Sequence, residues 1–223
     1  MPPNSHAKAN GTLFGVALNY QGLLLQHMAA FNDAPYKQPP QKPVLFIKTP
    51  NTRNHHEGTV ACPDNERLQP GPALGVVIGK RASRVNEANA LSHVGGYLIV
   101  NEFSLPESSY YRPAVKSKCR DGFCSLGPEI VAAADIKDPQ QLTIKLYVNG
   151  KVVQENTTAN QVRSVARLIT ELSEFMTLYE GDVLITGTPE GRVDVKPGDL
   201  VEVEITSLGR LTNTIISEPG DNA

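Results

Sequence analysis

No apolar run in the chain approaches the length that crosses a bilayer, so no membrane span is expected. There is no basic stripe with interleaved aromatics. Twenty-one basic residues stand against 23 acidic ones, so nucleic acid is not an expected partner. The opening residues Met1-Pro2-Pro3-Asn4-Ser5-His6 lack a basic segment followed by an apolar one. No secretory leader is expected, and residues 1–10 read as a loose, flexible terminus. Cysteine is scarce: Cys62, Cys119 and Cys124 are an odd number without the pattern of a disulfide framework. Reduced thiols and a cytoplasmic setting follow as the expectation. Cys119 and Cys124 do not make a C-x-x-C motif, and no nearby histidine completes a zinc pattern.

Common catalytic motifs are missing too. Gly79-Lys80 invites a phosphate-loop reading, but the glycine required five residues earlier is Leu74, and Arg81 stands where Ser or Thr should follow. No G-x-S-x-G elbow exists. His55 and His56 are adjacent and cannot both face one ion on a regular strand. His27 and His93 fall in helix-like segments and read as surface or packing residues.

What the chain does have is 18 glycines and 17 prolines, which favour many short strands joined by defined turns. Leu13–Leu18 reads as an opening strand, Gln21–Phe31 as a short helix, and Tyr36–Pro43 as extended, proline-rich loop. Val44–Lys48 and Val76–Ile78 read as buried strands, Asn86–Val94 as a helix, and Tyr97–Val100 as a strand. Leu142, Ile144, Leu146 and Val148 alternate with polar residues into Asn149-Gly150, the signature of a type I′ hairpin, and Val152-Val153 returns. Thr158 or Asn160 is expected to cap a helix with the face Val162, Val165, Ile169, Leu172 and Met176, ended by Gly181. Val183–Ile185 is a buried strand running into Thr186-Gly187-Thr188-Pro189-Glu190-Gly191. Lys196-Pro197-Gly198-Asp199 turns into the alternating strand Leu200–Ile205, paired through Gly209 with Leu211–Ile216. The fold class is α+β, predominantly β, in one domain spanning 11–223.

The ordered series Asn149-Gly150, Gly181-Asp182, Thr186-Gly187-Thr188-Pro189-Glu190-Gly191, Lys196-Pro197-Gly198-Asp199 and Leu208-Gly209-Arg210 resembles the fumarylacetoacetate hydrolase family. The likeness continues through Leu18-Asn19-Tyr20, Phe46-Ile47-Lys48, Val77-Ile78-Gly79-Lys80 and Lys118…Asp121-Gly122. It implies a compact roll of mixed β-sheets with short peripheral helices, and a divalent metal, usually Mg²⁺, acting on small 2-oxo acids. The stretches Ser104–Ala114 and Lys116–Cys124 are similar to the amino-terminal half, or separate subunit, of the bifunctional isomerase/decarboxylases of 4-hydroxyphenylacetate breakdown. That implies 5-oxopent-3-ene-1,2,5-tricarboxylate and 2-hydroxyhepta-2,4-diene-1,7-dioate as substrates. It also implies a homodimer or a hetero-oligomer with a related subunit.

The resemblance also exposes what is lost. Relatives with a full site carry two carboxylates at positions matching Gly71 and Ala73, one residue apart so that both face one side of a strand. A third ligand matches Glu102, leaving Mg²⁺ weakly held or absent. A His and Glu dyad matches Leu23 and Gln26, and an Arg and acid pair matches Pro106 and Glu107. Lys118 matches the family lysine near the substrate and Thr188 the residue that contacts its carboxylate. Lys118 and Glu102 are therefore the catalytic candidates, and Lys48, Arg112, Arg120 and Thr188 the substrate-binding ones. Two other expectations stand beside the enzyme: a catalytically silent structural partner of an intact homologue, and an acylpyruvate-type hydrolase.

Overall fold

Alternation of apolar and polar residues sets which faces are buried, and two β-sheets result. The structure, a computed structural model, describes residues 7–107 and 109–218. In chain order the strands are β1 (Leu13–Ala17), β2 (Val44–Lys48), β3 (Arg53–Asn54), β4 (Thr59–Cys62), β5 (Pro72–Ile78), β6 (Val94–Glu102) and β7 (Cys124–Leu126). They continue with β8 (Val131–Ala132), β9 (Thr143–Val148), β10 (Lys151–Thr157), β11 (Val183–Ile185), β12 (Leu200–Ile205) and β13 (Gly209–Ser217). The larger sheet runs β2-β1-β11-β5-β6-β7-β3, with β8 also on β6. The smaller runs β10-β9-β12-β13-β4. The helices are short: α1 (Gln21–His27), α2 (Glu87–Ala90), α3 (Val115–Lys118) and α4 (Val165–Ser173). No helix among the described residues is long and apolar enough to cross a membrane.

All seven residues of β5 are buried, because both faces of the larger sheet are covered there. Leu74, Val76 and Ile78 join the main apolar cluster, which takes in Val201, Val203 and Leu211 of the smaller sheet and Val165, Leu168, Ile169 and Leu172 of α4. The other face holds a second cluster of Leu13, Ala73, Val77, Leu98, Val100, Val183 and Ile185. Residues 1–6 of the terminus expected to be loose lie outside the described residues. Residues 7–10 run against this second cluster, where Ala7 and Ala9 pack and Arg53 Nη1 donates to Ala9 O at 2.8 Å.

Several expectations need local correction. Val44–Lys48 is an edge strand, not a buried one, with Leu45 and Ile47 exposed. The helix expected over Gln21–Phe31 stops at His27 and gives way to a 3₁₀ turn at Ala30–Asn32. The helix expected over Asn86–Val94 begins one residue later, because Asn86 Oδ1 caps it by accepting from Asn89 N. It ends at Ala90, and Val94 already belongs to β6. The long helix starts later than Thr158: Ser164 Oγ accepts from Arg167 N at 3.1 Å and is the cap, while Thr158–Asn160 is a separate 3₁₀ turn. It also ends at Ser173, well before Gly181. The Asn149-Gly150 turn forms as read, with φ of 52° and 76° at its two residues.

Candidate active site

Glu102 is the last residue of β6, and period-two alternation puts it on the face of Leu98 and Val100. Its backbone N–H donates to Gly71 O at 2.8 Å across the antiparallel pair with β5, so Gly71 stands opposite it. On the other side Glu102 faces Cys124 of β7. The carboxylate is 1% exposed. A lone charge there would be costly, and three cations answer it. Lys48, the last residue of β2, sets Nζ 2.8 Å from Oε1. Lys118, the last residue of α3, sets Nζ 3.1 Å from Oε2, and Arg192 approaches the same oxygen at 2.7 Å.

Lys118 is bordered by a second acid: Nζ is 3.0 Å from Glu107 Oε2, donates to Ser104 Oγ at 3.3 Å, and lies 4.5 Å from the centre of the Phe46 ring. Burial alone would push Glu102 up, but Lys118, Lys48 and Arg192 together outweigh it and hold the carboxyl down to about 2. A carboxylate so held stays ionised near neutral pH and anchors the three cations around it. Burial pushes the Lys48 ammonium down against the pull of Glu102. It likewise pushes the Cys124 thiol up to about 12, which keeps it protonated and unreactive.

These groups sit at one end of a cavity of about 190 Å³. Phe46, Glu102, Lys118, Thr188 and Arg192 line it, with Glu107 and Tyr110 near them. Thr188 and Arg192 arrive on the loop after β11. Gly187 there has φ +108°, and a Cβ on it would stand 2.9 Å from Val16 O, so only glycine fits.

The structure thus gathers Lys118, Glu102 and Thr188 as the sequence suggested. Lys48 lies beneath the cavity with its side chain fully buried, bound to Phe103 O, Lys118 O and Phe123 O at 2.7–2.9 Å, so it organises the floor and is closed to a ligand. Arg112 is exposed and lines a neighbouring depression instead. Arg120 is turned away and pairs with Glu218 at 3.1 Å. Arg192 was not among the candidates, and His27 was expected to be a surface or packing residue; both line the cavity. Arg192 carries only the weak signal of following a glycine turn after a buried strand. His27 lies one turn beyond Leu23 on α1, so both reach the cavity, and its ring meets Tyr110 edge-on at 5.1 Å. Gln26, by contrast, is exposed.

The fumarylacetoacetate (FAA) hydrolase C-terminal family matches residues 12–216. The chain belongs to the fumarylacetoacetate hydrolase family. It is 44% identical over 217 residues to the 4-hydroxyphenylacetate degradation bifunctional isomerase/decarboxylase of Salmonella dublin, covering 96% of this chain and 49% of that protein. The Escherichia coli protein of that name is 41% identical over 208 residues, covering 93% and 48%. The chain therefore spans about half the length of these curated relatives. The crystal structure of 2-hydroxyhepta-2,4-diene-1,7-dioate isomerase from Mycobacterium marinum superposes with a TM-score of 0.81 at 28% identity, covering 95% of this chain and 77% of that one.

Fumarylacetoacetate hydrolase family members bind a divalent metal, but the donor set here does not fit one. Among the described residues no three His, Cys, Asp or Glu side chains cluster. Glu102 offers both oxygens to cations, and Gly71 and Ala73 offer no side-chain oxygen.

Proposed function

We propose that the chain is a subunit of an isomerase/decarboxylase of aromatic catabolism, acting on 5-oxopent-3-ene-1,2,5-tricarboxylate and 2-hydroxyhepta-2,4-diene-1,7-dioate. The observation that carries this reading is the group of cations at one end of the cavity. Lys48, buried beneath, answers Glu102, so that Lys118 and Arg192 on the cavity are opposed by Glu107 alone, and Thr188 stands beside them. A small polyanion is attracted by such a surplus of positive charge.

The chemistry suits it. When a carboxylate leaves as CO₂, the electrons of the broken C–C bond move through the conjugated alkene onto the 2-oxo oxygen. The resulting dienolate needs positive charge nearby that is already oriented. Isomerisation then requires only a proton added at one carbon and removed at another. Lys118 is the residue assigned to stabilise the dienolate, with Glu107 as the acid that yields its place on Nζ to the substrate. Replacing one such group typically costs a hundredfold or more in kcat, of the order of 10². Lys118→Met should show that loss with purified chain and tricarboxylate, while keeping a cooperative melt. Equal turnover in wild type and variant would remove Lys118 from the mechanism.

A second reading has its own support. Glu102, Lys48 and Lys118 satisfy one another so fully that the remnant of the metal site is stable without any ligand. A silent partner that stabilises an intact homologue, fused or separate, would look like this. Turnover of either substrate by the chain alone would eliminate that reading.

A further inference from the structure

The three cations around Glu102 are not equivalent. Lys48 Nζ faces four acceptors, Glu102 Oε1 and three backbone carbonyls, and an ammonium has only three N–H bonds to give. Lys118 Nζ is enclosed by Glu102, Glu107 and Ser104. Arg192 differs. One Nη donates to Glu102 Oε2 at 2.7 Å, and no other hydrogen bond from the guanidinium is found among the described residues. Its remaining N–H groups are available on the cavity side, and 21% of its side chain is exposed. Thr188 Oγ1 likewise has no protein partner among the described residues and lines the same cavity.

Gly71 explains how the arginine comes to be there. A Cβ at position 71 would collide with the carbonyl oxygen of Glu102. It would also stand 2.9 Å from Arg192 Nη2 and 3.0 Å from Thr188 Oγ1. Any side chain at 71, and a carboxylate most of all, would have to displace the guanidinium. The glycine is therefore a requirement of the arrangement and not merely a missing ligand.

We propose that Arg192, with Thr188, binds the 2-oxo-carboxylate end of the substrate directly, and that its guanidinium supplies at this place the positive charge a divalent metal would bring. The assignment rests on the preceding reading that the ligand is a 2-oxo acid. A guanidinium can hold one Glu102 oxygen through one N–H and grip a carboxylate through two others, which a lysine cannot do. Arg192 is thus both tied to the floor of the site and open to the ligand.

The test is calorimetric binding of 2-oxoadipate, an inert 2-oxo acid with a distal carboxylate, in EDTA and then in millimolar Mg²⁺. Wild type should bind equally in both. Arg192→Ala and Gly71→Ala should each weaken binding at least tenfold, and Arg192→Lys should fall between, keeping charge but losing the fork. Binding that appears only with Mg²⁺, or an unchanged affinity in Arg192→Ala, overturns the assignment. Should Arg192→Ala fail to fold, Arg192→Lys and the EDTA arm decide. Metal-free binding without turnover of the tricarboxylate keeps the Arg192 assignment and ends the enzymatic reading. No binding of 2-oxoadipate in either buffer ends both.

Discussion

Glu102 is a buried acid answered by three cations, Lys48, Lys118 and Arg192. At the end of a buried strand it must be ionised and paired, or be absent, because an isolated buried carboxylate is too costly. The three cations lower its pKa from 4.5 to about 2. A folded-state value below the unfolded one contributes stability that is complete above about 4.5 and is lost as the pH falls toward 2. A shift of that size corresponds to roughly 3 kcal/mol. Glu102→Gln should therefore flatten the melting temperature between pH 5 and about 2 relative to wild type. At neutral pH it should destabilise by about 3–5 kcal/mol, since Lys48 would remain buried without its anion. Acid melts followed by circular dichroism compare the two, and parallel acid limbs would show that the carboxylate is not held as described. Which residues meet here was only partly legible. Glu102 and Lys118 are 16 apart and their neighbourhood could be read, but Arg192 reaches Glu102 from 90 residues away. Local periodicity says which face a residue takes and nothing about a partner that far along the chain.

Elements were more legible where a turn residue and an alternation agreed. The Asn149-Gly150 hairpin and the pairing of Leu200–Ile205 with the strand after Gly209 follow from such local rules. The helix boundaries did not. Ser164 and Thr158 are equally good caps by type, and only packing of Val165, Leu168, Ile169 and Leu172 into the main cluster selects Ser164. The edge position of β2 was hidden for the same reason, since Leu45 and Ile47 read as core until the sheet order is known. The loop after β11 is the element on which function depends most directly. Gly187 is held at φ +108° with Val16 O where a Cβ would point, so Gly187→Ala must move Thr188 and Arg192. We expect it to cost about 1–3 kcal/mol in stability and to weaken 2-oxo acid binding more than it slows any later step. A variant with intact binding would mean that the loop does not position these residues.

At the scale of the whole molecule, the chain spans about half the length of its curated relatives, and among the described residues no three His, Cys, Asp or Glu side chains cluster to hold a metal. Both facts acquire one meaning if a second, metal-competent unit accompanies it. Ligand linkage makes this measurable. A site with a dissociation constant near 10 μM would gain about 4 kcal/mol from 10 mM Mg²⁺, raising the melting temperature of a domain this large by roughly 8–16 °C. The chain alone should show a shift below about 1 °C, because Gly71 and Ala73 supply no side-chain oxygen and the Glu102 oxygens already face cations. Mixed with a homologue that carries the Glu-x-Glu pair, the sample should show the full Mg²⁺ shift on the homologue's transition. If the two units share an interface, this chain's transition should rise with it. A large Mg²⁺ shift in the isolated chain would mean that side chains rearrange to build a metal site, and Arg192 would then have to leave the position Gly71 opens for it.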